Sequence, residues 1–191
     1  RDAVLLLEQQ SDNLIAAVLS KTVAASAIAI LTEFSVERAA AIKLEAPPEK
    51  REQWLRNEAY HEGSVGRLME PALAIFRPEE SVAAAVAWLR NFSDATLVTY
   101  GHVTNADGRL LGVIVMRDLL LASPDQTLES LMVRDPFTLN AAMPVADASP
   151  LVLHRHYPVY PVCDGHQHLL GVVRGYVLFE EQAIEMSAQP G

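Results

Sequence analysis

Basic residues are scarce in this chain of 191 residues, 15 Lys and Arg against 24 Asp and Glu, and there is one cysteine. Each scarcity closes off a class of explanation. A lone thiol, Cys163, cannot make an internal disulfide, which agrees with a reducing compartment. The cations are thin in both halves, 7 basic against 10 acidic side chains in residues 1–62 and 8 against 14 in residues 63–191. The formal net charge of −9 therefore offers no footprint for a nucleic-acid backbone and favours cations as partners. Long apolar runs are also missing: Val23 to Leu31, broken by Ser26, falls well short of the roughly 20 residues that cross a bilayer. The sequence holds no nucleophile elbow, no Gly-rich phosphate loop, no Cys-x-x-Cys and no His-Glu-x-x-His, so it is read as non-enzymatic. It opens on Arg1 with no targeting pattern, as expected of a soluble piece cut from a longer protein.

Half of the residues are apolar, enough for a substantial core, and part of the chain occurs twice. Leu110-Leu111-Gly112-Val113-Ile114 returns as Leu169-Leu170-Gly171-Val172-Val173, and Leu68-Met69 returns as Leu131-Met132. Before the repeat, short helices are predicted over Ala3–Gln9, Asn13–Leu19, Thr22–Phe34, Val36–Leu44 and Glu49–Tyr60, with Ser35 as a cap and Pro48 in a first turn. Gly63 and Gly66 are read as a boundary. The first repeat reads as strand Ala72–Phe76, a helix starting at Pro78-Glu79-Glu80, a hairpin of Thr96–Thr104 and Leu110–Val115, and a helix from Arg117 to Leu121. The second reads as strand Phe137–Leu139, a helix ending near His154, strands Val159–Cys163 and Leu169–Val173, and helix Tyr176–Glu185. Pro150 should kink or restart the helix that contains it.

Two β-α-β-β-α units in tandem resemble a pair of CBS domains, and the likeness covers residues 64 to about 185. The Gly-containing strands, Arg117-Asp118-Leu119 and Val159-Tyr160-Pro161-Val162 carry it. The stretch Tyr60-His61-Glu62-Gly63-Ser64-Val65-Gly66-Arg67-Leu68-Met69 is similar to the junction between a helical superhelix and the CBS pair in MgtE-type magnesium transporters. The resemblance implies an α+β chain: a partial N-terminal superhelical domain (1–62), two CBS domains (63–127 and 128–185) and a tail (186–191) leading to a membrane domain. It also implies a cytosolic regulatory region on the cytoplasmic side of the inner or plasma membrane. That region would form a homodimer through its CBS domains, sense Mg²⁺ and gate the pore domain of the same full-length chain, with no nucleic-acid partner. The alternative is a CBS module that binds ATP or another adenine nucleotide without acting as a Mg²⁺ sensor.

Site residues follow from the same resemblance. Glu180 and Glu185 match acidic positions of the family on the exit helix, Glu181 adds a charge beside them, and Glu62 lies at the junction. Gly63 and Val177 stand where the family has Asp, so two metal carboxylates are absent. For a nucleotide, Asp118 is expected to meet ribose hydroxyls, Arg117 a phosphate, and Tyr100 and Tyr157 the base. The second copy has Arg174 and Val177 at the corresponding places, which leaves one usable site. His154, His156, His166 and His168, with Cys163 and Asp164 nearby, are chemically suited to a transition metal but match no strong zinc spacing.

Overall fold

The computed structural model of the protein describes residues 2–91 and 98–188, without the side chains at 2, 3, 185, 186 and 188. Five short helices open the chain: α1 (Asp2–Leu7), α2 (Asp12–Leu19), α3 (Ala24–Thr32), α4 (Val36–Glu45) and α5 (Pro48–Glu58). Their starts follow from side-chain chemistry. The Ser11 hydroxyl accepts the Leu14 N–H and the Ser35 hydroxyl accepts the Arg38 N–H, each satisfying a donor that a first helical turn leaves open. Pro48 occupies the first turn of α5, where no N–H is needed. Ile15, Leu19, Ile28, Leu31, Ile42 and Trp54 form the shared core of this region.

Asn57 on α5 joins the helical region to the repeats. Its amide donates to the carbonyls of Arg67 and Met69, the latter at 2.7 Å, and so grips a one-turn helix, α6 (Val65–Leu68). The reading of Gly66 as a boundary is corrected here: it lies inside α6 beneath the Tyr60 ring, where a Cβ would come within 2.5 Å of ring carbon. Of the two, Gly63, at φ 71°, is the turn glycine.

The first unit follows as β1 (Ile75–Phe76), α7 (Val82–Asn91), β2 (Tyr100–Thr104), β3 (Leu110–Val115) and α8 (Met116–Leu121). After α9 (Leu128–Leu131) and β4 (Val133–Arg134), the second unit comprises β5 (Leu139–Asn140), α10 (Val145–Leu153), β6 (Val159–Cys163), β7 (Leu169–Arg174) and α11 (Gly175–Ala188). The chain is thus α+β, a helical segment and then two β-α-β-β-α units. In each unit a short parallel strand precedes an antiparallel hairpin, β1-β2-β3 and β5-β6-β7, and both hairpins carry a bulge at the same place, after Val103 and after Val162.

The two units exchange their leading segments. β4, which precedes the second unit, pairs with β3 of the first through Val133 and Val113, while Glu70, which precedes the first unit, bridges to Val172 on β7 of the second. The cores follow suit: Leu128 and Met132 pack with Phe76, Val103 and Ile114, whereas Val65, Leu68 and Met69 pack with Leu139, Val162 and Leu178. This exchange explains the repeated glycine. A Cβ on Gly171 would stand 2.5 Å from the Glu70 carbonyl, and one on Gly112 would stand 2.8 Å from the Val133 carbonyl.

Several sequence expectations shift. The helix expected from Pro78 begins at Val82, because the Glu80 carboxylate accepts the Arg77 N–H and the carbonyls of Pro78 and Glu80 accept N–H groups of Glu129 and Leu128. The strands expected at Ala72–Phe76 and Phe137–Leu139 reduce to the two-residue pieces that pair with β2 and β6. Thr96 and Leu97, expected in a strand, lie outside the described residues. α10 runs through Pro150 without restarting.

Candidate functional site

The facing sheets leave two cavities related by the repeat. In the first, Tyr100 at the start of β2 and Tyr157 just before β6 meet Val113 and Val115 of β3 and, from the connection between the units, Asp135 and Phe137. Tyr160 steadies one wall: its hydroxyl donates to the Val152 carbonyl and accepts the Tyr157 N–H, both at 3.1 Å, with the two rings 5.8 Å apart. Phe137 packs edge-on against Tyr160, and the Arg155 guanidinium lies 3.7 Å from the Phe137 ring centre. Burial raises the pKa of the Tyr100 phenol, and the neighbouring Tyr157 and Tyr160 push the same way.

Arg117 and Asp118 sit in the first turn of α8, directly after Val115. The Arg117 guanidinium donates twice to one Asp118 oxygen, at 2.9 and 3.0 Å, and neither side chain lines the cavity.

The second, smaller cavity has Glu70, His102 and Arg174 where the first has Val133, Pro161 and Val115. Arg174 and Glu70 pair across it at 3.6 Å. His102 is 4% exposed and neither ring nitrogen has a hydrogen-bond partner. Burial lowers its pKa to about 4; the Ala74 carbonyl pulls weakly the other way without reaching hydrogen-bond geometry.

A third pocket opens between the helical region and the second unit. Glu33, Glu62 and Glu181 line it with Arg67, which approaches Glu62 at 3.9 Å. Among the described residues, no group of three or more His, Cys, Asp or Glu side chains is arranged to hold a metal ion directly.

The CBS domain family matches residues 128–175. Two curated relatives are magnesium transporters MgtE: that of Bacillus subtilis, 28% identical over 131 residues, and that of Thermus thermophilus, 29% identical over 115 residues. These alignments cover 68% and 60% of this chain. The soluble part of a magnesium transporter superimposes with a TM-score of 0.84 at 20% identity, over 96% of this chain and 71% of the other. The cytosolic domain of the Mg²⁺ channel MgtE in complex with ATP gives 0.84 at 22% identity, over 94% and 74%. The chain resembles an MgtE-type cytosolic region in sequence and in fold. It spans 29% and 26% of the length of the two curated transporters, and among the described residues no helix is long and apolar enough to cross a membrane.

Against the MgtE-type expectation, the structure brings Tyr100 and Tyr157 together and keeps Arg117 and Asp118 paired at the neighbouring helix start. It gathers Glu62 and Glu181 in one pocket and leaves Glu180 exposed outside it. Glu185 is on α11 with its side chain outside the described ones. The four histidines do not form one group: His166 and His168 share the β6–β7 turn, while His154 ends α10 and His156, at φ 55°, follows it. Cys163 is buried, and desolvation pushes its thiol up to about 12, which unsuits it to ligation. The sequence reading missed Glu33, 29 residues before Glu62, and His102, which sits in an apolar strand; only the fold places them.

Proposed function

We propose that this chain is the cytosolic regulatory region of a Mg²⁺ transporter or channel, on the cytoplasmic side of the inner or plasma membrane, acting on a pore domain of the same full-length protein. The observation that carries the reading is the meeting of Glu33, Glu62 and Glu181 in one pocket, from the helical region, the junction and the exit helix α11. Oxygen donors suit Mg²⁺, which keeps several waters and needs one or two carboxylates, so a hydrated ion fits carboxylates too far apart to share a bare one. The Glu62–Arg67 contact is long and Glu62 is 77% exposed, so it holds Glu62 weakly against such an ion. With the ion bound, the helical region and α11 are held together. Without it, that bridge between the elements is lost. In a homodimer formed through the CBS units, this change becomes a rearrangement at the α11 exits, where Glu180 is exposed and Glu185 follows on the same helix. Similarity to MgtE proteins supports the assignment. We assign the chain no catalytic role.

The aromatic cavity favours a second, compatible reading: an adenine nucleotide stacked between Tyr100 and Tyr157. Its aromatic and aliphatic lining suits such a ligand. Arg117 would exchange Asp118 for a phosphate, and the released Asp118 would accept ribose hydroxyls.

Thermal stability tests both, since a ligand that binds only the folded chain raises it. Mg²⁺ is expected to stabilise beyond monovalent salt of the same ionic strength, and Glu62→Gln with Glu181→Gln to remove the excess. No difference between Mg²⁺ and monovalent salt would count against the sensor. ATP is expected to stabilise the wild type and not Asp118→Ala.

A further inference from the structure

The turn between β6 and β7 takes no part in either proposal, and its side chains are arranged for a different ion. Asp164 organises it: Oδ1 accepts the N–H groups of His166 and His168 at 2.8 and 2.9 Å, and Oδ2 lies 2.8 Å from His168 Nδ1. A carboxylate on Nδ1 keeps the ring proton there and directs the Nε2 lone pair away from Asp164. That is how a carboxylate orients a histidine ligand and raises its basicity. The His166 and His168 rings are 6.2 Å apart, centre to centre, at 56°. Two imidazoles on one tetrahedral ion stand roughly 5 Å apart, centre to centre, so the two rings are near that spacing, and the exposed His166 can turn its ring toward a shared ion.

We propose that His166 and His168, oriented by Asp164, bind a transition-metal ion of the Zn²⁺ or Ni²⁺ type through two imidazole nitrogens, with the other positions open to water. Nitrogen donors select such ions over Mg²⁺, which takes oxygen. The facing turn carries Asp107 and Arg109, of opposite sign, so the selectivity comes from the imidazoles and not from the acidity of the chain. The turn is also stitched to the first unit. Leu110 N–H donates to the Gln167 carbonyl at 2.9 Å and Leu169 N–H to the Gly108 carbonyl at 3.0 Å, with Arg109 bridged to His168. An ion held here stiffens the junction between the two hairpins.

The test is a titration of the whole chain with ZnCl₂ and, separately, NiCl₂, followed by thermal stability and by NMR of the histidine rings. Saturable stabilisation is expected, with the His166 and His168 resonances moving at concentrations where MgCl₂ leaves them unchanged. His166→Ala, at an exposed side chain, should abolish the effect while leaving the ion-free melting temperature in place. Asp164→Asn should weaken binding by roughly 10–100-fold. The proposal is overturned if neither ion saturates, if His166→Ala binds as well as the wild type, or if the His154 and His156 resonances respond instead. None of these results bears on the Mg²⁺ or nucleotide reading, which rests on other residues.

Discussion

Two side chains make the protein sensitive to acid in separate pH windows. His102 is neutral in its buried site, with a pKa lowered from 6.5 to about 4, so the unfolded chain takes up a proton before the native one does. Its contribution to stability is complete above pH 6.5 and is lost as pH falls toward 4; at about 1.4 kcal/mol per unit the loss reaches roughly 3 kcal/mol. In His102→Leu the stability profile should flatten across that window; an unchanged slope by chemical denaturation would mean that His102 is not the group responsible. Asp164 behaves as a paired carboxylate, its pKa lowered from 3.8 to about 2 chiefly by the side-chain hydrogen bond from His168 and then by the His168 N–H. Its stabilisation is present above pH 3.8 and disappears as pH falls through 2, so Asp164→Asn and wild type should differ in melting temperature near neutrality and converge in acid. At this scale the sequence told least. Asp164 and its histidines form a visible cluster, but nothing in the residues around His102 shows that Glu70 and Arg174 lie across a cavity from it.

The glycine strands are where sequence and structure meet most closely. Both repeats of Leu-Leu-Gly-Val read as strands, and β3 and β7 fall on them, because β-branched and aliphatic residues bounded by turn residues leave little alternative. Why glycine recurs could not be read locally: the reason is a carbonyl from a segment about 100 residues away, Glu70 against Gly171. Gly171→Ala must push that backbone aside and should cost about 1–3 kcal/mol, measured by denaturant unfolding. Gly165→Ala, which meets nothing within 4 Å, is the control. Equal costs for the two would refute the close-approach explanation. Helix ends were legible where serine or proline supplied a cap, at Ser35 and Pro48. They were missed where tertiary hydrogen bonds decided, as at Glu80, whose carbonyl and carboxylate are both engaged before α7 begins.

In the whole molecule, the exchange of leading segments makes the two units and the helical region interdependent. Asn57 is the narrowest connection, its buried amide holding the carbonyls of Arg67 and Met69. Asn57→Ala leaves those carbonyls without a donor and should destabilise the fold by about 1–3 kcal/mol. It should also weaken the response to Mg²⁺, because Glu62 and Arg67 are then no longer held beside Glu181. The overall plan, helices followed by a duplicated module, was legible because duplication and periodicity survive in one dimension. The acidic pocket was half legible: Glu62 and Glu181 were singled out, but Glu33 joins them only once α3 packs against the junction. The central claim is that Mg²⁺ draws the acidic helical region and α11 of this chain together. Sedimentation velocity with and without Mg²⁺ at fixed ionic strength tests it most directly. The account predicts a more compact species with Mg²⁺, lost in Glu62→Gln with Glu181→Gln. Identical sedimentation in Mg²⁺ and in matched monovalent salt would contradict it.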